Sequence, residues 1–166
     1  MADYVVDTNV WAMVDKPIGE VSLTEVDCIA CCKKWLMNFN SQSDDRLILD
    51  IGQEILKEYR RNAKEGGIAR QLLNVLQAQP RNRLVELEIE FDDDGFAIVP
   101  AEISEFDRSD RKFVAVALAH NPHPPIVNAT DTDWTKARDQ IEAVGISVSE
   151  CCADYVAERL KGKKQE

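Results

Sequence analysis

The sequence predicts an α/β protein whose central parallel sheet lies between two layers of helices, a three-layer α/β/α arrangement. Two observations predict this class: short apolar segments typical of buried strands alternate with longer segments of helical periodicity, and hydrophobic residues make up 45% of the 166 residues, enough for a packed core. No linker, internal repeat or low-complexity tract divides the chain, so we expect one domain over residues 1–166.

The alternation begins with a strand that stops at a carboxylate. Tyr4, Val5 and Val6 run directly into Asp7. An unpaired charge at the end of a buried strand is costly, so Asp7 needs a partner. The predicted elements that follow in this half of the chain are a helix at 22–39, a strand at 46–50, and helices at 52–64 and 68–79.

The second half continues the alternation after one segment that breaks it. Apolar and acidic residues alternate imperfectly through "RLVELEIEFDDDGFAIVP", residues 83–100, which contains an Asp-Gly pair. This pattern is typical of two strands joined by a tight turn, so we predict a β-hairpin insertion near 83–100. The remaining predicted elements are a helix at 109–120 with Asp107 or Ser109 as its N-cap, a strand at 125–129, a helix at 133–143, a strand at 145–149 and a helix at 151–164.

Charge and cysteine content narrow the function classes. The net charge of −10 argues against nucleic-acid binding only if charges are evenly spread, because their placement decides phosphate affinity. The five cysteines, at 28, 31, 32, 151 and 152, do not suggest a disulfide framework, so we expect reduced thiols. Cys28, Cys31 and Cys32 lie in a segment of helical periodicity, and we expect them to fill the core rather than bind zinc. Because neither a membrane-length apolar run nor a secretory signal is visible, we expect a cytoplasmic protein without a membrane partner.

Carboxylates follow four of the predicted structural segments. Because the carboxyl ends of parallel strands meet at one edge of a sheet, we expect these groups to lie close together. Like charges repel unless a cation lies among them, and Mg²⁺ or Mn²⁺ is the hard, oxygen-seeking cation suited to carboxylates. Such a site can activate water for phosphodiester cleavage. The carboxylates are Asp7; Glu54 and Glu58; Asp110; and Asp131 with Asp133.

Each of these acids also has a simpler explanation. Asp7 is suited to cap a helix over "TNVWAMV", and Asp131 or Asp133 to cap the helix that follows. Asp110 complements a helix dipole. Glu58, like Glu54, has basic neighbours on its own helix. The occurrence of all these acids after successive strands favours the shared site.

Four segments resemble, in order, the motifs of the PIN-domain family of metal-dependent nucleases. They are "VVDTNVW", "DIGQEILKEYRRN", "SDRKFVAVALA" and "IVNATDTDW", and the similarity extends over roughly residues 3–150. The resemblance implies a PIN-like fold and hydrolysis of RNA, usually single-stranded, to leave a 5′-phosphate and a 3′-hydroxyl. Many members of the family are toxins that pair with an antitoxin protein, and many form homodimers.

The resemblance also implies residue roles. The catalytic metal ligands would be Asp7, Glu58, Asp110 and Asp131, and Asp133 would be a further ligand. The supporting residues would be Asn9, Glu54 and Thr130. We prefer Glu58 to Glu54 as the ligand because "ILKEY" resembles the family's context, although Glu54 is one turn nearer the strand end. The predicted RNA contacts are Arg60, Arg61, Arg111 and Lys112, unless these cations only balance nearby acids on solvated helix faces.

Two other functions compete with a nuclease. The first is a binding module that keeps the fold without catalysis, and the net charge of −10 would suit a basic partner. The second is a phosphatase of the haloacid dehalogenase type, which also has an Asp after its first strand. That class requires a second Asp two residues later, where this chain has Asn9, so the sequence disfavours it.

Overall fold

A five-stranded, entirely parallel sheet forms the centre of the molecule, in the strand order β3-β2-β1-β4-β5. The computed structural model describes residues 1–19, 21–79 and 83–163. The strands are β1 (Asp3–Val6), β2 (Arg46–Asp50), β3 (Leu84–Leu87), β4 (Ile126–Asn128) and β5 (Val148–Glu150). Helices flank the sheet, so the predicted three-layer α/β/α class is confirmed.

The helices mostly follow the predicted order. They are α1 (Thr8–Met13), α2 (Leu23–Ser41), α3 (Glu54–Asn62), α4 (Ile68–Ala78), α5 (Arg111–Ala119), α6 (Thr132–Lys136), α7 (Arg138–Ala143) and α8 (Ala153–Lys163). The predicted helix at 133–143 is divided at Ala137, and position 164 of the predicted last helix lies outside the described residues. Among the helices described here, none has the length and apolar character needed to cross a bilayer.

The predicted hairpin near 83–100 is wrong in its first arm. Leu84–Leu87 pairs in parallel with β2 and becomes an edge of the main sheet. Within this segment, antiparallel pairing is confined to one isolated bridge between Phe91 and Ala97, on either side of the Asp-Gly turn. A half-exposed edge strand and a hairpin arm show the same two-residue alternation, so the sequence pattern alone did not distinguish them.

The carboxyl end of β2 sets the position of α3. Asp50 is fully buried, and its two carboxylate oxygens accept hydrogen bonds from the backbone N–H groups of Glu54 and Ile55, each at 2.9 Å. Gln53, between them, has a φ of 62°. From the same helix, the Tyr59 hydroxyl donates to the carbonyl of Val6 at the end of β1. These contacts hold α3 beside the end of β1, where Asp7 begins the next segment.

A disulfide joins two distant parts of the chain and corrects the expectation of reduced thiols. Cys28 on α2 is bonded to Cys152, just before α8, across a sequence separation of 124. Cys28 and Cys32 lie in the hydrophobic core, as does Cys152, so the predicted packing role is confirmed for the first two and wrong for Cys31. Cys31 is exposed, so the CxxC pair does not come together. The helix face shared by Cys28 and Cys32 meets Cys152 only in the folded chain.

We expect three titratable thiols per chain in denaturant without reductant, from Cys31, Cys32 and Cys151. After reduction the count should rise to five. Reduction should also lower the unfolding temperature, because a cross-link across so long a loop is worth about 4–5 kcal/mol in the chain-entropy model. Thiol titration and thermal melts measure both effects, with Cys31→Ser as the control that removes a thiol without touching the bond. Five thiols before reduction would contradict the disulfide.

Candidate metal centre

Three carboxylates from distant segments meet at one edge of the sheet. Asp7 follows β1, Asp110 precedes α5, and Asp131 follows β4. Each offers one carboxylate oxygen to a group whose atoms all lie within 4.8 Å of one another. The structure thus brings together three of the acids that the sequence placed after successive strands, and we call them the acid cluster.

Asp7 is both a helix cap and a member of the acid cluster. Its exposed fraction is 4%, one carboxylate oxygen accepts from the Asn9 backbone N–H at 2.9 Å, and the other accepts from Trp134 Nε1. Burial raises the pKa of Asp7 to about 6, against these two hydrogen bonds and with help from the charges of Asp131 and Glu58. The capping explanation and the shared-site explanation are therefore compatible.

Asp110 carries the larger electrostatic cost. Burial is the main cause that raises the pKa of Asp110 to about 8, and the charges of Asp7 and Asp131 add to it, while Lys112 opposes the shift. Asp110 is itself the N-cap residue of α5, with no capping hydrogen bond from its side chain. The predicted cap Asp107 instead accepts from Ser109, one turn earlier. Asp110 thus makes no capping hydrogen bond, while its place at the start of α5 agrees with the predicted position for complementing the helix dipole.

Asp131 has a capping role like that of Asp7. One of its carboxylate oxygens accepts from the Asp133 backbone N–H at 2.8 Å, at the start of α6. The Asp133 side chain is outside the acid cluster: it pairs with Lys136 at 2.8 Å and lines a separate cavity beside Phe106. The structure thus does not bring Asp133 to the position expected for a further ligand.

Glu58, rather than Glu54, lies beside the acid cluster. With Asp7 and Asp131 it lines a cavity of about 400 Å³. The Glu58 carboxylate accepts from Thr8 Oγ1 at 2.6 Å and pairs with Lys112 Nζ, also at 2.6 Å. The Glu54 side chain is 51% exposed and pairs with Lys57. One helical turn therefore separates Glu58, which lines the acid-cluster cavity, from Glu54, which is more exposed and lines only a smaller neighbouring cavity.

Asn9 supports the site through a network that extends beyond the predicted residues. Its side-chain oxygen accepts from the Ala129 N–H at 2.9 Å, and its amide donates to Asn128 Oδ1 at 3.0 Å. The fully buried Asn128 in turn donates to the Asp131 carbonyl and to Glu150 Oε2. The network fixes the ends of β1 and β4 relative to each other, and with them Asp7 and Asp131.

Several residues of the site were not predicted from the sequence. Asn128 stands at the end of β4, where a polar residue after an apolar run is a usable signal. Arg159 lines the acid-cluster cavity from α8, as the predicted Thr130 does from the loop after β4. No local pattern connects Arg159 to the acids, because only the packing of the last helix brings it there.

The predicted RNA-contacting cations divide into two pairs. Arg60 donates to Asn74 and Gln77 of α4, and Arg111 donates to the carbonyls of Ser104 and Phe106. These two guanidinium groups hold neighbouring segments of the fold. The other pair, Arg61 and Lys112, lines a second cavity of about 200 Å³ that shares Glu58 with the first.

The donor set of the acid cluster suits a hard divalent cation. All three groups offer carboxylate oxygens, the ligands preferred by Mg²⁺ and Mn²⁺. Burial is the main cause of the raised pKa values of Asp7 and Asp110, and the repulsion among the acids adds to it, so a divalent cation at the cluster would offset both. Comparison of the chain with protein-family models, curated proteins and solved structures finds no match. Functional assignment therefore depends on the site itself.

Proposed function

We propose that the protein is a PIN-type endoribonuclease that depends on Mg²⁺ or Mn²⁺ and hydrolyses phosphodiester bonds of single-stranded RNA. The observation that carries the proposal is the acid cluster. Three carboxylates from separate segments converge within 4.8 Å although burial and mutual charge raise the pKa of two of them. A structure bears such a cost where function requires it, and a divalent cation would offset it.

The surrounding side chains have distinct roles in this proposal. Asp7, Asp110 and Asp131 hold the metal, and Glu58 lies at the edge of the same cavity. A metal bound there would activate water and stabilise the leaving oxygen of the phosphodiester. Asn9 and Asn128 position the ligands through their shared hydrogen bonds. Lys112, which pairs with Glu58, would contact a phosphate beside the cluster.

The proposal includes partners and a location. By its resemblance to PIN-domain proteins, the protein would act in the cytoplasm, pair with an antitoxin protein and form a homodimer. Co-purification with the product of a neighbouring gene would support the antitoxin, and sedimentation measures the dimer independently of catalysis.

The direct test is cleavage of labelled single-stranded RNA with and without metal. We expect Mn²⁺ or Mg²⁺ to support internal cleavage, and a chelator to stop it, because the ligands cannot activate water without a cation. The products should carry 5′-phosphates, which phosphatase and ligase treatment reveal. If the purified protein leaves RNA intact at any concentration of either metal, the nuclease assignment is wrong.

One observation favours the alternative, a binding module without catalysis. A protein cation already offsets one acid of the site, because Lys112 pairs with Glu58 at 2.6 Å while Thr8 donates to the same carboxylate. Calorimetric titration with Mn²⁺ distinguishes the two functions. Metal binding at micromolar to millimolar concentration supports the nuclease, and absence of binding supports the module.

A further inference from the structure

A second cleft adjoins the acid cluster and is chemically different from it. We call it the Phe91 cleft and define it by Glu58, Arg61, Phe91, Phe96, Arg108 and Lys112, all of which line the cavity of about 200 Å³. Glu58 is common to both cavities, so the Phe91 cleft opens directly beside the acid cluster. A strand bound at the acid cluster would reach the Phe91 cleft by passing Glu58.

The Phe91 cleft presents cations with capacity to bind a phosphate. Arg61 is exposed, and its side chain makes no hydrogen bond or ion pair with any described residue. The side chain of Arg108 is 59% exposed and has a single loose ion pair, to Asp94 at 3.6 Å. Guanidinium groups bind phosphate oxygens through paired N–H donors, so two such groups beside one cavity suit a phosphodiester.

The same cleft presents aromatic rings. Phe91 is 38% exposed, so part of its ring is open to solvent, and the Arg108 guanidinium lies 5.5 Å from the centre of the Phe96 ring. Both rings belong to the short reversal closed by the bridge between Phe91 and Ala97. Gly95 completes its turn with a φ of 84°, which other residues adopt only at a cost. The turn thus fixes the two rings beside the cations.

We propose that the Phe91 cleft binds one nucleotide of an unpaired RNA strand, with its base on the Phe91 ring and its phosphate between Arg61 and Arg108. A base can stack on a protein ring only when it is free of a duplex, so the cleft selects single-stranded substrate. The inference rests on the proposed nuclease function, because it places this nucleotide next to the bond at the acid cluster. It also gives the reversal at 91–97 a role in substrate binding.

Binding measured without turnover tests the cleft separately from catalysis. We would use the Asp7→Asn protein and a fluorescent oligouridine, with a second strand in which the bases are removed. Phe91→Ala should weaken binding of oligouridine about tenfold, the loss of one stacked base, and should leave binding of the abasic strand unchanged. Phe91→Leu should weaken binding of oligouridine as Phe91→Ala does, and Phe91→Tyr should keep the affinity measured with Phe91, because a tyrosine ring can also stack on a base.

Removing a cation of the Phe91 cleft should change binding in a different way from removing the Phe91 ring. Arg61→Ala should weaken binding of both strands and lower the salt dependence by about one phosphate contact. Matched controls are Val75→Ala, a half-exposed apolar residue of α4, and Lys34→Ala, an exposed cation of α2, neither of which should change affinity. Circular dichroism establishes that each variant is folded.

Two results would overturn the cleft: binding of oligouridine unaffected by Phe91→Ala, or an equal loss for the intact and abasic strands. The outcome is separable from the nuclease proposal. If the parent protein does not cleave RNA but binding depends on Phe91, the result supports the proposed nucleotide site and contradicts the nuclease function. If the parent protein cleaves RNA but binding does not depend on Phe91, the result supports the nuclease function and contradicts the proposed nucleotide site.

Discussion

Replacing Asp7 with Asn is expected to reduce Mn²⁺-stimulated RNA cleavage by more than about 100-fold, because loss of an outer partner of a metal ligand already costs about 10–100-fold. Asn keeps the shape and one acceptor oxygen but has no charge to hold a cation. Asp110→Asn should have the same effect, since its carboxylate belongs to the same cluster. Single-turnover cleavage of labelled RNA at saturating metal measures both losses.

The stability of Asp7→Asn decides whether its loss of activity is chemical. Asn can accept from only one of the two N–H donors that now contact Asp7, the Asn9 backbone and Trp134 Nε1. That loss costs about 1–3 kcal/mol, while the cost of burying a charge disappears. We expect the two to offset, leaving the unfolding temperature of the metal-free protein within about 5 °C of the parent.

Asp133→Asn is the matched control for the ligand variants. Asp133 is two residues from Asp131 and carries the same charge, but its side chain pairs with Lys136 outside the acid cluster. It should retain cleavage close to that of the parent protein. Equal activity of Asp7→Asn and the parent would remove the acid cluster from the chemistry.

The sheet was largely predictable because its central strands are buried on both faces. The ranges 3–6 and 46–50 are the observed β1 and β2, since Val5, Val6 and Leu47 belong to short apolar runs with clear ends. The same principle explains the failure at β3. That strand lies at the edge of the sheet, and its half-exposed pattern resembles a hairpin arm.

The sequence predicted the approach of the clustered acids, but it left open which of two glutamates, one helical turn apart, lies beside them. Parallel topology alone places Asp7 and Asp131 at a common edge. The choice between Glu58 and Glu54 depends on the orientation of α3 about its own axis. The hydrogen bonds from the first N–H groups of α3 to the buried Asp50 carboxylate set that orientation. Contacts between remote segments had no local signal. The Cys28–Cys152 bond and the approach of Arg159 depend on the packing of α8 and follow only from the folded chain.

The metal-free protein is expected to lose stability as the pH rises from about 4 to about 8. Asp7 and Asp110 have pKa values raised to about 6 and about 8 in the folded state, against an ordinary value of 3.8. Between these limits the folded chain holds protons that the unfolded chain has released, so the free energy of unfolding falls with increasing pH. At about 1.4 kcal/mol for each pH unit over which the folded chain keeps a proton, about two units for Asp7 and about four for Asp110 sum to about 8 kcal/mol, a fall of at least about 15 °C in unfolding temperature.

A bound divalent cation should reverse this dependence. Ligation requires the ionised carboxylates, so the rise in unfolding temperature on adding Mn²⁺ should be small at pH 5 and much larger at pH 8. Asp7→Asn should flatten the metal-free profile between about pH 4 and 6, and Asp110→Asn should flatten it up to about pH 8, because each removes one of the two titrations. Thermal melts across this range, with chelator or with Mn²⁺, measure both effects. A metal-free protein whose unfolding temperature is constant or rises from pH 5 to pH 8 would contradict the electrostatic account of the acid cluster, and with it the main argument for the proposed metal.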